Sequence, residues 1–337
     1  MTVTVESLGR YRELFEPGLR AAVDRLDPLT RRVVAYHLGW CDPEGRPVDA
    51  NPGKAVRPTL ALLVAEALTG APAAAAPGAV AVELVHNFSL VHDDLMDRDA
   101  ERRHRPTVWA LWGDSTAVLA GDAMLSLAHE VLTESESPYA GAAGRALAAA
   151  TRELIRGQVE DLAFEARDDV TLAECEAMAA GKTGALLGVS AAIGAILAGA
   201  GPSTVEAFDT FGRDVGLAFQ LVDDLLGIWG APERTGKPVH SDLAARKKTL
   251  PVAWSLTRGG RAGEDLRDWF ATAVEPGEAS LREAADLVEA AGGRAWAQRC
   301  AQERVRRALA ALEPLDLPAE NHQTLADLAR FVTERTT

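Results

Sequence analysis

Apolar residues recur along this chain at the three- and four-residue intervals of helices, with little of the strict period-two alternation that marks strands. Ala, Leu, Glu and Arg dominate, which favours the same reading. Breakers punctuate the pattern at Pro43 and Pro47, Pro52-Gly53, Pro72 and Pro77, Gly201-Pro202, Pro232, and Pro314 and Pro318. Two helix starts carry capping-box spacing, Thr171 with Glu174 and Ser203 with Glu206. The segment Val80 to Val91 is apolar except for Glu83, His86, Asn87 and Ser89, and Val215 to Trp229 is similar apart from Gln220 and an aspartate pair. Helices this apolar belong at the centre of a fold. The Ala-Pro-rich piece from Gly70 to Pro77 reads as a loop between helices. With no repeat, low-complexity tail or linker, the simplest account is one all-α domain over residues 1–337.

Composition narrows the function classes. The chain has 337 residues, 47% of them apolar, and a formal charge of -14. Such a surface repels nucleic acid and anionic lipid, yet a local basic pocket can still bind phosphate. Cys41, Cys175 and Cys300 are odd in number and lack metal-ligand spacing, so they read as free thiols in a reducing compartment. The N-terminus lacks the blocks of a secretory signal. Apolar runs such as Leu186 to Ala200 are short and rich in Ala and Gly, below what a membrane span needs. The expected location is cytoplasmic, with no stable membrane insertion.

The chemistry concentrates in two acidic clusters. Asp93, Asp94 and Asp97 end the apolar Val80–Val91 run, and a helix puts Asp93 and Asp97 on one face. Like charges at that spacing repel, and a helix C-terminus makes the repulsion worse. A divalent cation removes the difficulty, and magnesium enters such sites with phosphate and water. Asp223 and Asp224 end a second apolar run. Two such clusters on facing helices can grip a diphosphate through magnesium and draw off the charge that builds as it leaves. Basic residues complete the picture: Lys54 and Arg57, Arg102 and Arg103, Lys182, Lys237, and Lys247 with Lys248. Arginine offers a fork of donors and lysine a mobile point charge. No Gly-rich nucleotide loop is present, and His86, His92 and His104 lack a zinc pattern.

Together these residues resemble the trans-isoprenyl diphosphate synthases, and most of all the bacterial geranylgeranyl diphosphate synthases. The resemblance rests on Gly53-Lys54-x-x-Arg57-Pro58, Glu83-Leu-Val-His86, the Asp93 motif, Arg102-Arg103 and Gly157-Gln158. It continues through Lys182-Thr183, Phe219-Gln220, the Asp223 motif, Gly236-Lys237 and Lys247. It implies an all-helical bundle of long antiparallel helices around a deep cavity, in a homodimer. By resemblance, Asp93 and Asp97 bind two magnesium ions with Asp94 in support, and Asp223 binds a third with Asp224 nearby. Arg102, Lys182, Lys237 and Lys247 hold the allylic diphosphate, while Lys54, Arg57, His86 and Arg103 hold isopentenyl diphosphate. Thr183 and Gln220 lie near the developing carbocation, and the departing diphosphate serves as base.

Two positions depart from the family pattern. Gly227 stands where a third aspartate of the second motif is usual, and His104 follows the Arg pair in place of Gly. The family sets product length just before the first motif. Phe88, with the small Ser89 and no insertion in the motif, matches the pattern that gives a C20 geranylgeranyl product. The alternatives are a C15 farnesyl product, a class I terpene cyclase, or the non-catalytic subunit of a heteromeric synthase. A cyclase has no need of Lys54, Arg57, His86 and Arg103, and Gly227 alone favours the subunit reading. The roles of Arg330 and Arg335 are left open.

Overall fold

The computed structural model describes residues 5–48, 50, 53–231, 238–272 and 276–333. Pro52, Pro232, Gly236, Lys237 and Arg335 lie outside the described residues. In chain order the helices are α1 (Val5–Val23), α2 (Pro28–His37), α3 (Val56–Thr69), α4 (Ala76–Met96), α5 (Val108–Trp112), α6 (Asp114–Thr133), α7 (Ala140–Glu165) and α8 (Leu172–Ala179). They continue as α9 (Ala185–Leu197), α10 (Pro202–Trp229), α11 (Ser241–Ala244), α12 (Leu250–Arg258), α13 (Gly260–Ala271), α14 (Glu278–Ala290), α15 (Gly293–Leu312) and α16 (Ala319–Thr333). One antiparallel hairpin, β1 (Glu101–Arg102) with β2 (Arg105–Pro106), interrupts them. The chain divides into two compact units. The first is Met1–Ala149, Val189–Asp209 and Leu315–Leu325, and the second is Ala150–Gly188, Thr210–Pro314 and Ala326–Thr337.

In the first unit α4 is the core helix that the sequence marked, with Val80, Ala81, Val82, Leu84, Val85 and Val91 buried. Each large aliphatic side chain so buried contributes about 1.5–3 kcal/mol. Helices approach α3 and α4 closely because small residues face them. A Cβ on Gly194 of α9 would run into the Ala61 carbonyl of α3, and one on Gly78 of α4 into Ile193 of α9. The Gly70–Pro77 piece is not a plain loop. Its Pro72–Ala75 stretch is a 3-10 turn leading straight into α4, and Pro77 sits in the first turn of that helix, where a missing N–H costs nothing.

In the second unit Phe164, Leu221, Val222, Leu225, Leu250 and Trp296 form one buried cluster. The Trp254 and Trp296 rings stack at 4.8 Å, 8° from parallel. The Thr171–Glu174 capping box is present and opens α8 as expected. The second expected start shifts: α10 begins at Pro202, so Ser203 lies inside the helix and caps nothing. Proline at the first helical position takes over as the start signal.

The apolar segments are longer than the sequence suggested. Pro72–Met96 and Leu172–Leu197 are each long and apolar enough to cross a membrane, because α8, a π turn at Ala180–Gly184 and α9 run on as one helix. Their best windows are 72% and 83% buried inside the protein, which is how core helices behave.

Candidate active site

The first aspartate cluster closes α4. Asp93 and Asp97 are half-buried, and Asp97 caps the helix, its N–H donating to the Asp93 carbonyl at 2.8 Å. Asp94 points the other way and is buried, with Arg102 Nε and Nη2 each 2.7 Å from its Oδ1. Burial pushes the Asp94 carboxyl up to about 6 against the pull of Arg102, and the charges of Asp99 and Asp93 add to the rise. Asp94 therefore anchors the arginine hairpin, while Asp93 and Asp97 stay reachable.

The hairpin separates its two arginines. Its turn residues, Arg103 and His104, both have positive φ, 53° and 60°, as a tight two-residue hairpin requires. His104 therefore holds a left-handed conformation at the position where the family pattern has Gly. Arg102, on β1, reaches Asp94. Arg103 instead lies against Gly53, where φ is +90° and its guanidinium fills the space a Cβ would take. The Gly53 carbonyl accepts a 2.8 Å bond from Arg12 of α1. Glycine is needed here both for the backbone conformation and for the arginine's approach.

Around Arg103 the first unit gathers a basic cluster. Arg57 Nη1 donates to His86 Nε2 at 3.2 Å, which makes that nitrogen an acceptor and the ring neutral. Burial and the charges of Arg57 and Arg103 hold the His86 imidazole well below its usual value. Glu83 is buried beneath them, its carboxyl pushed up by desolvation and pulled back by Asn87, Arg57, Arg103 and Arg12. Asn87 Nδ2 donates to the Glu83 carbonyl at 2.8 Å and to Glu83 Oε1 at 3.1 Å, and its own Oδ1 lies 3.1 Å from His37 Nε2. Lys54 is exposed at the rim of this stretch of chain. The structure thus brings together Arg57, His86 and Arg103 as expected, and adds Arg12, His37, Glu83 and Asn87 to them.

His37 has a measurable consequence. Burial, then Arg102 and Arg103, push its imidazole down to about 3. A depressed histidine contributes stability that is full above the unfolded value near 6.5 and is lost as pH falls below it. Between pH 6.5 and 5 the loss is about 2 kcal/mol. His37→Gln is expected to flatten the pH dependence by that amount in urea unfolding at pH 7 and pH 5. Equal losses in the two proteins would contradict the assignment.

The second unit holds the other cluster. Lys182 and Thr183 sit in the π turn Ala180–Gly184, the kind of helix defect that often re-aims functional side chains. The defect is packed in place by glycines, since a Cβ on Gly157 of α7 would overlap the Lys182 backbone and one on Gly181 would lie 2.8 Å from the Glu153 carbonyl. Lys182 Nζ is 2.6 Å from Asp161 Oδ2. The Thr183 hydroxyl donates to Gln220 Oε1 at 2.6 Å, and Gln220 Nε2 donates to Asp224 Oδ1 at 2.7 Å. The Leu250 N–H completes the chain, 2.9 Å from Asp224 Oδ2. Asp224 is buried and pushed up to about 7 by desolvation, with Asp242 and Asp223 adding to the rise. Asp223, one residue earlier, is half-buried, as is Lys247. Asp161 was missed in the sequence, although it stands three residues after Gln158 on the same helix face. Lys237 lies outside the described residues.

Phe88 is buried, its ring edge-on to His92 with centroids 4.9 Å apart, and the Ser89 hydroxyl turns back onto the His86 carbonyl at 2.8 Å. His92 in turn fills the space beside Gly121 of α6, and its Nε2 is 3.0 Å from the Val118 carbonyl. Two rings, not one, therefore sit before the first motif.

Among the described residues, no three His, Cys, Asp or Glu side chains stand grouped as a metal site. The donor chemistry nonetheless fits magnesium. Each motif offers carboxylate oxygens alone, and each has a neighbouring carboxyl raised chiefly by burial, with nearby negative charge adding to the rise; a hard cation relieves that charge.

An all-helical protein with such carboxylates at the end of one apolar helix and in the last two turns of another, and arginine and lysine beside them, has the parts of a diphosphate-handling enzyme. The polyprenyl synthetase family model matches residues 46–288. A (2E,6E)-farnesyl diphosphate synthase from Mycobacterium tuberculosis is 57% identical over 98% of this chain and 93% of its own length. A geranylgeranyl diphosphate synthase from the same organism is 43% identical over 90% and 87%. The crystal structure of a polyprenyl synthetase from Streptomyces coelicolor superposes with a TM-score of 0.93 at 49% identity, covering 98% of this chain and 99% of that one. The chain belongs to the polyprenyl synthetase family, with the all-α isoprenoid-synthase fold, and is a trans-prenyltransferase. The expected likeness to geranylgeranyl synthases above all is overturned by the higher identity to the farnesyl synthase. The expectation of a C20 product rested on Phe88, the small Ser89 and the absence of an insertion in the first motif.

Proposed function

We propose that this protein is a magnesium-dependent farnesyl diphosphate synthase, condensing isopentenyl diphosphate with C5 and C10 allylic diphosphates and stopping at C15. The 57% identity to a farnesyl diphosphate synthase carries the product assignment, and the paired Phe88 and His92 rings support it.

Asp93, Asp97 and Asp223 would hold magnesium, three ions in all, with the allylic diphosphate. Bound magnesium supplies charge neutralisation for the diphosphate as the allylic C–O bond breaks. Arg102, fixed on Asp94, and Lys182, fixed on Asp161, place positive charge for the same diphosphate, joined by Lys237 and Lys247. Lys54, Arg57, His86 and Arg103, with Arg12 beside them, hold isopentenyl diphosphate. His86 serves as a neutral group, its Nδ1 able to donate while Nε2 accepts from Arg57. The double bond of isopentenyl diphosphate attacks the allylic cation, and the diphosphate just released takes the proton. Thr183 and Gln220, locked in sequence onto Asp224, present fixed dipoles to the cation rather than mobile water.

The enzyme acts as one functional domain, is cytoplasmic, and works as a homodimer. The exposed apolar side chains of Val118 and Leu119 on α6, and of Ile155 and Val159 on α7, support self-association.

The deciding test of product length is the starter. With magnesium and isopentenyl diphosphate, geranyl diphosphate is expected to be elongated once, and farnesyl diphosphate to be consumed at least roughly 20-fold more slowly. Efficient conversion of farnesyl diphosphate to a C20 product would overturn the assignment.

A further inference from the structure

The two motifs of this chain differ in their acidic residues at one position, the last. The first reads Asp93-Asp94-Leu-Met-Asp97, and the second Asp223-Asp224-Leu-Leu-Gly227. Residue 227 lies in α10, one turn after Asp223 and on the same face, so the glycine removes a carboxylate from that face.

The space is not left empty. The Asp242 carboxylate occupies the volume that a side chain at 227 would need: a Cβ there would lie 2.9 Å from Asp242 Oδ1 and closer still to Oδ2. Asp242 belongs to the single turn α11, which is pinned against α10. Leu243 is fully buried in the same apolar cluster as Ile228 and Trp229 of α10. The Ser241 hydroxyl donates to the Gly227 carbonyl at 3.4 Å, and the Lys247 N–H to the Asp242 carbonyl at 2.8 Å. His240, just before this turn, is held at a φ of 64°, which swings α11 into place. Glycine at 227 is what allows the approach, since any larger residue would displace Asp242.

We propose that Asp242 supplies, from α11, the third carboxylate that Gly227 removes from the second motif, and that it acts there as a positioning residue for the magnesium held by Asp223. This deepens the proposed function and rests on it. An acid in the first turn of a helix also favours that helix, so a purely structural role for Asp242 is the competing account, and a swap of positions separates the two.

The series is wild type, Asp242→Asn, Asp242→Ala, Gly227→Asp and the double variant Gly227→Asp/Asp242→Ala. Two quantities are read: the magnesium concentration giving half-maximal condensation, and the affinity for manganese(II) with inorganic diphosphate, followed by the resonance of the free ion. Asp242→Asn, close to isosteric, is expected to raise the half-saturating magnesium at least tenfold and to weaken manganese binding by a similar factor, with thermal stability near wild type. Gly227→Asp alone crowds two carboxylates and lowers the melting temperature. The double variant, with one carboxylate returned to α10, is expected to come back within threefold of wild type in metal affinity. Unchanged metal affinity in Asp242→Asn, or a double variant no better than Asp242→Ala, would overturn the proposal. A wild type that binds manganese and diphosphate yet condenses nothing would sink the farnesyl synthase reading, while the binding series would still decide the role of Asp242.

Discussion

Asp93→Asn is expected to lower kcat about 10²–10³-fold, the usual cost of losing one preorganised group that meets charge developing in a transition state. The substitution keeps the shape of the side chain and the cap of α4, because the Asp97 N–H bonds to the residue 93 carbonyl and not to its side chain. It removes one of two like charges spaced a turn apart, and it relieves Asp94, whose carboxyl Asp93 helps to raise. Without magnesium the variant should therefore be no less stable than wild type, and by helix-pair magnitudes about 0.2–0.5 kcal/mol more stable. Lost activity together with retained or increased metal-free stability is the signature of a carboxylate kept for ligation. Steady-state kinetics and thermal unfolding in chelator measure both. An activity within tenfold of wild type would exclude Asp93 as a metal ligand.

The second large effect separates neighbours in sequence. Arg103→Leu is expected to raise KM for isopentenyl diphosphate 10- to 100-fold, the equivalent of one charge-assisted hydrogen bond worth about 1.5–3 kcal/mol. The KM for geranyl diphosphate should move less than threefold. Arg102→Leu should show the reverse pattern. The hairpin geometry is the reason: Arg102 is fixed on Asp94 of the first motif, whereas Arg103 packs on Gly53 among Arg12, Arg57 and Glu83. Both KM values rising together in Arg103→Leu would mean that the two arginines serve one subsite.

Local sequence signals found what local physics controls. The apolar run into Asp93 gave α4 its burial and its acidic end, and Thr171 with Glu174 opened α8 through side-chain bonds within one turn. Ser203 misled because Pro202 begins the helix ahead of it. The π turn that carries Lys182 and Thr183 left no periodicity to read, because it depends on Gly157 and Gly181 letting two helix backbones touch. The hairpin at Glu101–Pro106 is too short for alternation to appear. Arg12 and His37 were invisible as site residues, being 41 and 50 positions from their partners Gly53 and Asn87. His92 was invisible as a packing partner, since its contact with Phe88 depends on the turn of α4 that places the two rings 4.9 Å apart.

Asp242 shows the same limit from the other side. Read alone, Gly227 is a missing carboxylate and an argument for a subunit without activity. With α11 in place it is the opening through which another carboxylate enters.

The most direct test of the account is the product formed from dimethylallyl diphosphate and excess isopentenyl diphosphate by purified protein, with and without magnesium, resolved by chain length. The account predicts farnesyl diphosphate as the accumulating end product, two condensations per chain, and no product in chelator. Absence of condensation from folded, magnesium-replete protein, or turnover that persists in chelator, would contradict it.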